Sequence, residues 1–135
     1  EDAKENFRLN GLNPDSHGFL VTDVFEWKPS GAPPDLLICD PPSLSRGKRS
    51  DGAARQAYRD LATRCGGFVE NQGMLATFSC TARLDTQRWM LAIREGLRRA
   101  GRWSLLWQAY EPADHPVALE HPEARYLKFG LFRRA

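Results

Sequence analysis

Three polar clusters stand where a sheet would present them to a ligand. Asp23 follows the short apolar run Phe19 to Thr22. Asp40-Pro41-Pro42 follows Leu36 to Cys39. Ser79-Cys80-Thr81 closes the run that begins at Met74. If these runs are parallel strands, all three clusters fall at the carboxyl ends, where open parallel sheets bind ligands. Two carboxylates and a thiol at one rim are groups that can hold and react with a substrate. Each alone has a plainer reading: Asp23 as a turn or cap residue, Cys80 as a buried structural thiol. Their shared edge is what points to an active site.

The elements that must position them follow from periodicity. Ala3 and Phe7 mark a helix that Gly11 ends. It has no start signal, so the expectation is that the numbering begins inside a longer protein. Leu36 to Cys39 is a continuous apolar run, the pattern of a strand covered on both faces, and the two prolines forbid its continuation. Ala57, Tyr58, Leu61, Cys65 and Val69 predict an amphipathic helix that Gly73 breaks. Met74 to Cys80 predicts a buried strand. Asp85 or Thr86 can cap a helix with Trp89, Ile93 and Leu97 on its apolar face and Gly101 at its end. Trp103 to Tyr110 and Tyr126 to Arg133 predict two further strands, joined without a helix. Strands alternating with helices, then two strands together, predict an α/β sheet, mostly parallel, with an antiparallel C-terminal edge hairpin.

Composition narrows the class. The chain has 135 residues, 41% hydrophobic and 27% charged, with a net charge of +2. That is one soluble globular domain, residues 1–135. Cys39, Cys65 and Cys80 are odd in number and lack CxxC spacing, which argues against a disulfide framework or a metal site. No run is long enough to span a bilayer and no signal segment is visible, so the expected location is cytoplasmic. Basic residues cluster at Arg46, Lys48 and Arg49, and again at Arg94, Arg98, Arg99 and Arg102. The plain reading of the second cluster is a solvated helix face.

Several runs together are more specific than any one of them: Asn10-Gly11-Leu12, Asp23-Val24-Phe25, Ile38-Cys39-Asp40-Pro41-Pro42-Ser43, Thr77-Phe78-Ser79-Cys80, Asp114-His115-Pro116-Val117 and Tyr126-Leu127-Lys128. In combination they resemble the S-adenosylmethionine-dependent ribosomal RNA cytosine-5 methyltransferases of the bacterial large-subunit methyltransferase I type, over nearly the whole chain. The resemblance implies a Rossmann-like methyltransferase sheet and a cofactor, S-adenosylmethionine. It implies that Cys80 is the nucleophile, adding to carbon 6 of a cytosine so that carbon 5 can accept the methyl group. It implies that Asp40 holds the base, that Pro41 and Pro42 form a ledge beside it, and that Asp40 and Pro41 also border the cofactor. Asp23 and Val24 would contact the cofactor's adenine, with Phe25 packed against it. His115 would help to close the base pocket, and Arg46, Lys48 and Arg49 would meet RNA phosphates.

The family's Gly-rich turn, its first two strands and its small RNA-binding domain have no counterpart in this sequence. The expectation is therefore a partial catalytic domain, its C-terminal portion, inactive alone and able to form a homodimer through exposed sheet edges. Two alternatives stand beside the carbon-5 reading. One is an Asp-Pro-Pro enzyme that methylates a base nitrogen, with Cys80 structural. The other is a non-catalytic RNA-binding remnant.

Overall fold

The computed structural model describes residues 1–44 and 51–135. Its strands are β1 (Leu36–Cys39), β2 (Met74–Ser79), β3 (Trp103–Ala109) and β4 (Lys128–Arg134), and its helices are α1 (Asp2–Leu9), α2 (Asp51–Phe68) and α3 (Thr86–Ala100). The strands form one sheet in the order β1-β2-β4-β3. β1 and β2 are parallel, with Leu36 opposite Met74 and Cys39 opposite Thr77. β4 runs antiparallel to both β2 and β3. Three strands thus share one direction, and the reversed strand lies inside the sheet. The expected α/β class and mixed sheet are the observed ones.

Local signals account for the helices. Asp85 caps α3, its carboxylate accepting the Arg88 backbone N–H at 2.8 Å. Trp89, Ile93 and Leu97 recur on one face of α3 and are buried, the 3.6-residue stripe of a packed helix. α1 ends as Gly11 turns to φ +69°, and the Leu12 N–H reaches back to the Phe7 carbonyl at 2.9 Å. Only glycine takes that left-handed conformation without strain.

α2 and α3 cover one face of the sheet. Tyr58, Leu61, Ala62 and Cys65 of α2 meet Trp89, Ile93 and Leu97 of α3 above Leu75 and Phe132, with Leu37, Cys39 and Trp103 at the margin. The two helices approach closely at Gly96, where a Cβ would lie 2.3 Å from the Arg59 carbonyl oxygen. Among the described residues, no helix is long and apolar enough to cross a membrane.

Two expectations are corrected. β1 is not covered on both faces: Leu37 and Cys39 pack on the core, but Leu36 is 46% and Ile38 66% exposed. Continuous apolar character shows only that a strand tolerates burial; a covering layer must come from elsewhere in the fold. Phe19 to Thr22 is not a strand. Among the described residues no strand lies beside it to pair with its backbone, and Leu20 and Val21 are exposed. The segment is held from one end instead, where Phe19 stacks edge-on against Phe7.

Candidate active site

The ends of β1 and β2 bring Asp40 and Cys80 to one cavity of about 440 Å³. That volume lies within the range of small-molecule sites, roughly 300–1,000 Å³. Phe78, Trp107 and Phe129 form its aromatic side; Ala109, Tyr110, Pro112, Leu127 and Lys128 complete the wall with Ser79. Phe129 packs against Phe78 at 4.8 Å and edge-on against Trp107 at 5.5 Å between ring centroids. Cys80 is a half-buried free thiol.

The turn that carries Cys80 is fixed by its neighbour. Thr81 is fully buried. Its hydroxyl lies 2.8 Å from the Tyr58 hydroxyl and 3.4 Å from that of Ser43, and it accepts the Leu44 N–H at 3.2 Å. The segment after Asp40-Pro-Pro is therefore tied to the segment after Cys80 through one hydroxyl. Burial pushes the Tyr58 phenol up, against smaller opposing effects of its hydrogen bonds to Ser79 and Thr81, so it stays neutral at physiological pH.

Lys128 closes the same turn from β4. It is 4% exposed and sits opposite Ser79 in the β2–β4 register. Its ammonium donates to the carbonyls of Thr81 at 3.0 Å and Tyr126 at 2.7 Å. Burial pulls the Lys128 ammonium down, and the coulombic influence of Cys80, Glu111 and Asp85 opposes it. Glu111 also accepts the Leu127 N–H at 3.0 Å, which fastens the loop after β3 to the start of β4.

Comparison with known proteins gives the chain's relatives. The chain is 38% identical over 133 residues to a ribosomal RNA large subunit methyltransferase of Deinococcus radiodurans, covering 93% of this chain and 32% of that protein. It is 32% identical over 140 residues to ribosomal RNA large subunit methyltransferase I of Tolumonas auensis, covering all of this chain and 35% of that protein. This chain is a relative of the ribosomal RNA large subunit methyltransferases. It spans about a third of the length of the curated relatives it matches. The fold agrees: the chain superposes on SMU.776, a protein assigned as a methyltransferase and solved with SAH, with a TM-score of 0.76 at 21% identity, over 96% of this chain and 34% of the other. No family model matches the chain.

In this relative of the large-subunit methyltransferases, the residues singled out from sequence divide into groups. Asp40 and Cys80 share the cavity. Pro41 is half-buried and Pro42 exposed, and neither is among the cavity's lining residues. His115 lines a neighbouring cavity of about 410 Å³ with Arg125 and Val117, and shares Tyr110 and Pro112 with the first. Asp23, Val24 and Phe25 form a separate turn. The Asp23 carboxylate accepts the Phe25 N–H at 2.8 Å, and the turn docks on α2 through Arg64, which donates to the carbonyls of Val24 at 3.1 Å and of Trp27. These three do not line the Asp40–Cys80 cavity. The Asp23 carboxylate and the Phe25 ring are both exposed, so both are open to a ligand. Arg46, Lys48 and Arg49 lie outside the described residues.

Sequence reasoning noted Thr81 and Lys128 but gave neither a partner, and it missed Glu111 and the Tyr58–Thr81 bond as parts of the site. A lysine inside the apolar run Leu127 to Phe132 was the one signal present. Cys39 and Cys65 prove to be core residues in mutual contact. The Cys65 thiol donates its hydrogen to Cys39, and this bond with burial pushes the Cys65 thiol far up, which leaves it inert.

Proposed function

We propose that this chain carries the base-binding half of an enzyme that methylates carbon 5 of a cytosine in ribosomal RNA. The observation that supports it most is the meeting of Asp40 and Cys80 in one cavity with an aromatic wall. S-adenosylmethionine, when bound, supplies the methyl group. The Cys80 sulfur adds to carbon 6 of the base as a thiolate; the carbon 5–carbon 6 double bond is lost, its electron pair forms the carbon 4–carbon 5 enamine, ring nitrogen 3 takes up a proton, and carbon 5 becomes nucleophilic. After methylation a water molecule acting as base takes the carbon 5 proton, the electron pair of that carbon–hydrogen bond re-forms the carbon 5–carbon 6 double bond, and the carbon–sulfur bond breaks to return the thiolate. Asp40 accepts a hydrogen bond from the cytosine's amino group, which selects cytosine over uracil. Phe78, Trp107 and Phe129 offer faces for an extruded base. Asp23, Val24 and Phe25 take the adenine of the cofactor, Pro41 and Pro42 limit the base's approach, and His115 borders the route to the pocket. Arg46, Lys48 and Arg49 contact RNA phosphates. The reading places the protein in the cytoplasm, where ribosomal RNA is processed.

The test is methyl transfer from labelled S-adenosylmethionine to ribosomal RNA by the protein carrying Cys80 and by its Cys80→Ala variant. Product nucleosides are separated by mass spectrometry. The expected product is 5-methylcytidine, lost in the variant. A base methylated on nitrogen, with turnover that survives Cys80→Ala, would replace this reading with the nitrogen alternative. RNA binding without transfer by the intact protein would leave the non-catalytic one.

A further inference from the structure

β3 forms one edge of the sheet: among the described residues only β4 pairs with it. Antiparallel pairing uses the backbone groups of alternate residues, so the others hold their N–H and C=O groups outward. Leu105 and Leu106 on this edge are 49% and 50% exposed. A bulge between Leu105 and Trp107 breaks the regular stretch, so the edge offers a short template that begins at Trp103.

The edge adjoins a groove of about 230 Å³ on the helix side of the sheet. Leu97 of α3, Trp103 and Leu105 of β3 and Phe132 of β4 line it, together with Arg94 and Arg98. Both arginines are exposed, and neither has an acidic partner among the described residues. Glu95, the acid between them in sequence, turns to α2 and pairs with Arg55 at 2.9 Å and Arg59 at 3.4 Å. The helix dipole accounts for Arg98, which lies in the last turn of α3. It does not account for Arg94, one turn earlier. Arg102, exposed just before β3, adds a third cation beside the same edge. The edge thus joins three features: outward backbone groups, an apolar groove and unpaired positive charge.

We propose that β3 accepts an extended acidic segment of another protein as a further strand. Backbone pairing along the edge supplies affinity, and alternate side chains supply selectivity. Every second side chain of the added strand faces the helix side. There one apolar side chain fills the groove, and carboxylates on either side of it reach Arg94 and Arg98. Charge decides the occupant. A second copy of this chain would bring its own Arg94, Arg98 and Arg102 to the contact, and like charges across a strand pair are destabilising. A nucleic acid has phosphates for the arginines, but it has neither peptide groups for the edge nor an aliphatic side chain for the groove. The groove shares no lining residue with the Asp40–Cys80 cavity, and the proposal does not rest on the methyl-transfer reading.

The experiment is hydrogen exchange of the β3 amides, read by NMR, with the capped peptide Thr-Glu-Thr-Leu-Thr-Glu-Thr as the probe. Saturable protection of β3 amides is expected. N-methylation of one alternate set of the peptide's amides should abolish it, and N-methylation of the other set should not. An Arg94→Glu/Arg98→Glu variant should bind the probe about tenfold or more weakly. The same variant should gain binding of the lysine counterpart, Thr-Lys-Thr-Leu-Thr-Lys-Thr, which the native chain should bind more weakly than the probe. That gain also shows that the variant is folded, and the methylated peptides test the native chain without any substitution. No saturable protection, indifference to methylation, or equal binding of the two peptides by the native chain overturns the proposal. So does a single-stranded RNA oligonucleotide that protects the same amides while the peptide does not.

Discussion

The hydroxyls of Tyr58 and Thr81 lie 2.8 Å apart, both wholly buried, and join α2 to the turn that carries Cys80. Tyr58→Phe removes one partner and leaves Thr81 its contacts with Leu44 and Ser43. The expected loss is about 1 kcal/mol. Thr81→Ala strands the Leu44 N–H and leaves the Tyr58 hydroxyl only Ser79 as a partner, so it should cost more, about 1–3 kcal/mol. The double variant should lose less than the sum, because both changes break one bond. Urea unfolding of the four proteins checks this. Additive losses would mean that the two hydroxyls do not stabilise one another.

Gly96 sets the spacing of α2 and α3. A Cβ there would meet the Arg59 carbonyl oxygen at 2.3 Å, the Ala62 Cβ at 2.8 Å and the Thr63 nitrogen at 3.1 Å. Two of those three atoms belong to backbone, which cannot swing aside. Gly96→Ala should destabilise the chain by about 1–3 kcal/mol or more, although alanine is the better helix former in isolation. Gly67, two turns from this contact on α2, has open space at its Cβ, and Gly67→Ala should be neutral or stabilising. Equal melting temperatures for the two variants would show that the helices separate freely.

Lys128 gives a pH dependence whose sign can be worked out. Its ammonium is pulled below the ordinary lysine range chiefly by burial, with Cys80, Glu111 and Asp85 opposing. The folded chain therefore holds this proton less tightly than the unfolded chain. Between the depressed value and about 10.4, unfolding takes up a proton, so stability from this group rises with pH there and falls as pH drops through the folded value. Lys128→Met removes the effect. The stability difference, native protein minus variant, should grow in favour of the native protein across that window. Chemical denaturation at successive alkaline pH values measures it, and a difference that shrinks would reverse the assigned cause. Tyr58 acts oppositely above about pH 10, but both proteins contain it, and it cancels.

α3 was legible in the sequence because its signals are local: the Asp85 cap, the spacing of Trp89, Ile93 and Leu97, and the stop at Gly101. Asp40 and Cys80 were legible because each ends an apolar run, and parallel strands put such ends together. The rest depended on contacts distant in sequence. Phe19 to Thr22 has strand character, but pairing needs a neighbour that local character does not report. Leu36 and Ile38 read as covered because apolar runs show tolerance of burial and not its presence. Lys128 reads as a solvent-facing charge until the carbonyls of Thr81 and Tyr126 are seen to surround it. Glu111 reads as a loop acid until its bond to Leu127 appears.

β1 leaves one edge and one face open. Among the described residues only β2 pairs with it, and Leu36 and Ile38 are exposed on the uncovered side, as is Trp107 on β3. A free strand edge with apolar side chains is a template for another strand, and an exposed apolar patch favours association. Two copies that meet edge to edge would satisfy the free backbone groups of both β1 strands and cover both Ile38 side chains. The chain should therefore sediment as a monomer when dilute and as a growing fraction of dimer when concentrated. Ile38→Lys puts a charge at the centre of that contact, where two like charges would face each other, and should hold the chain monomeric without disturbing the core, since Ile38 points away from α2. Sedimentation velocity over a hundredfold range of concentration decides it. A single monomer boundary throughout, for the native chain and the variant alike, would show that the open edge does not self-associate.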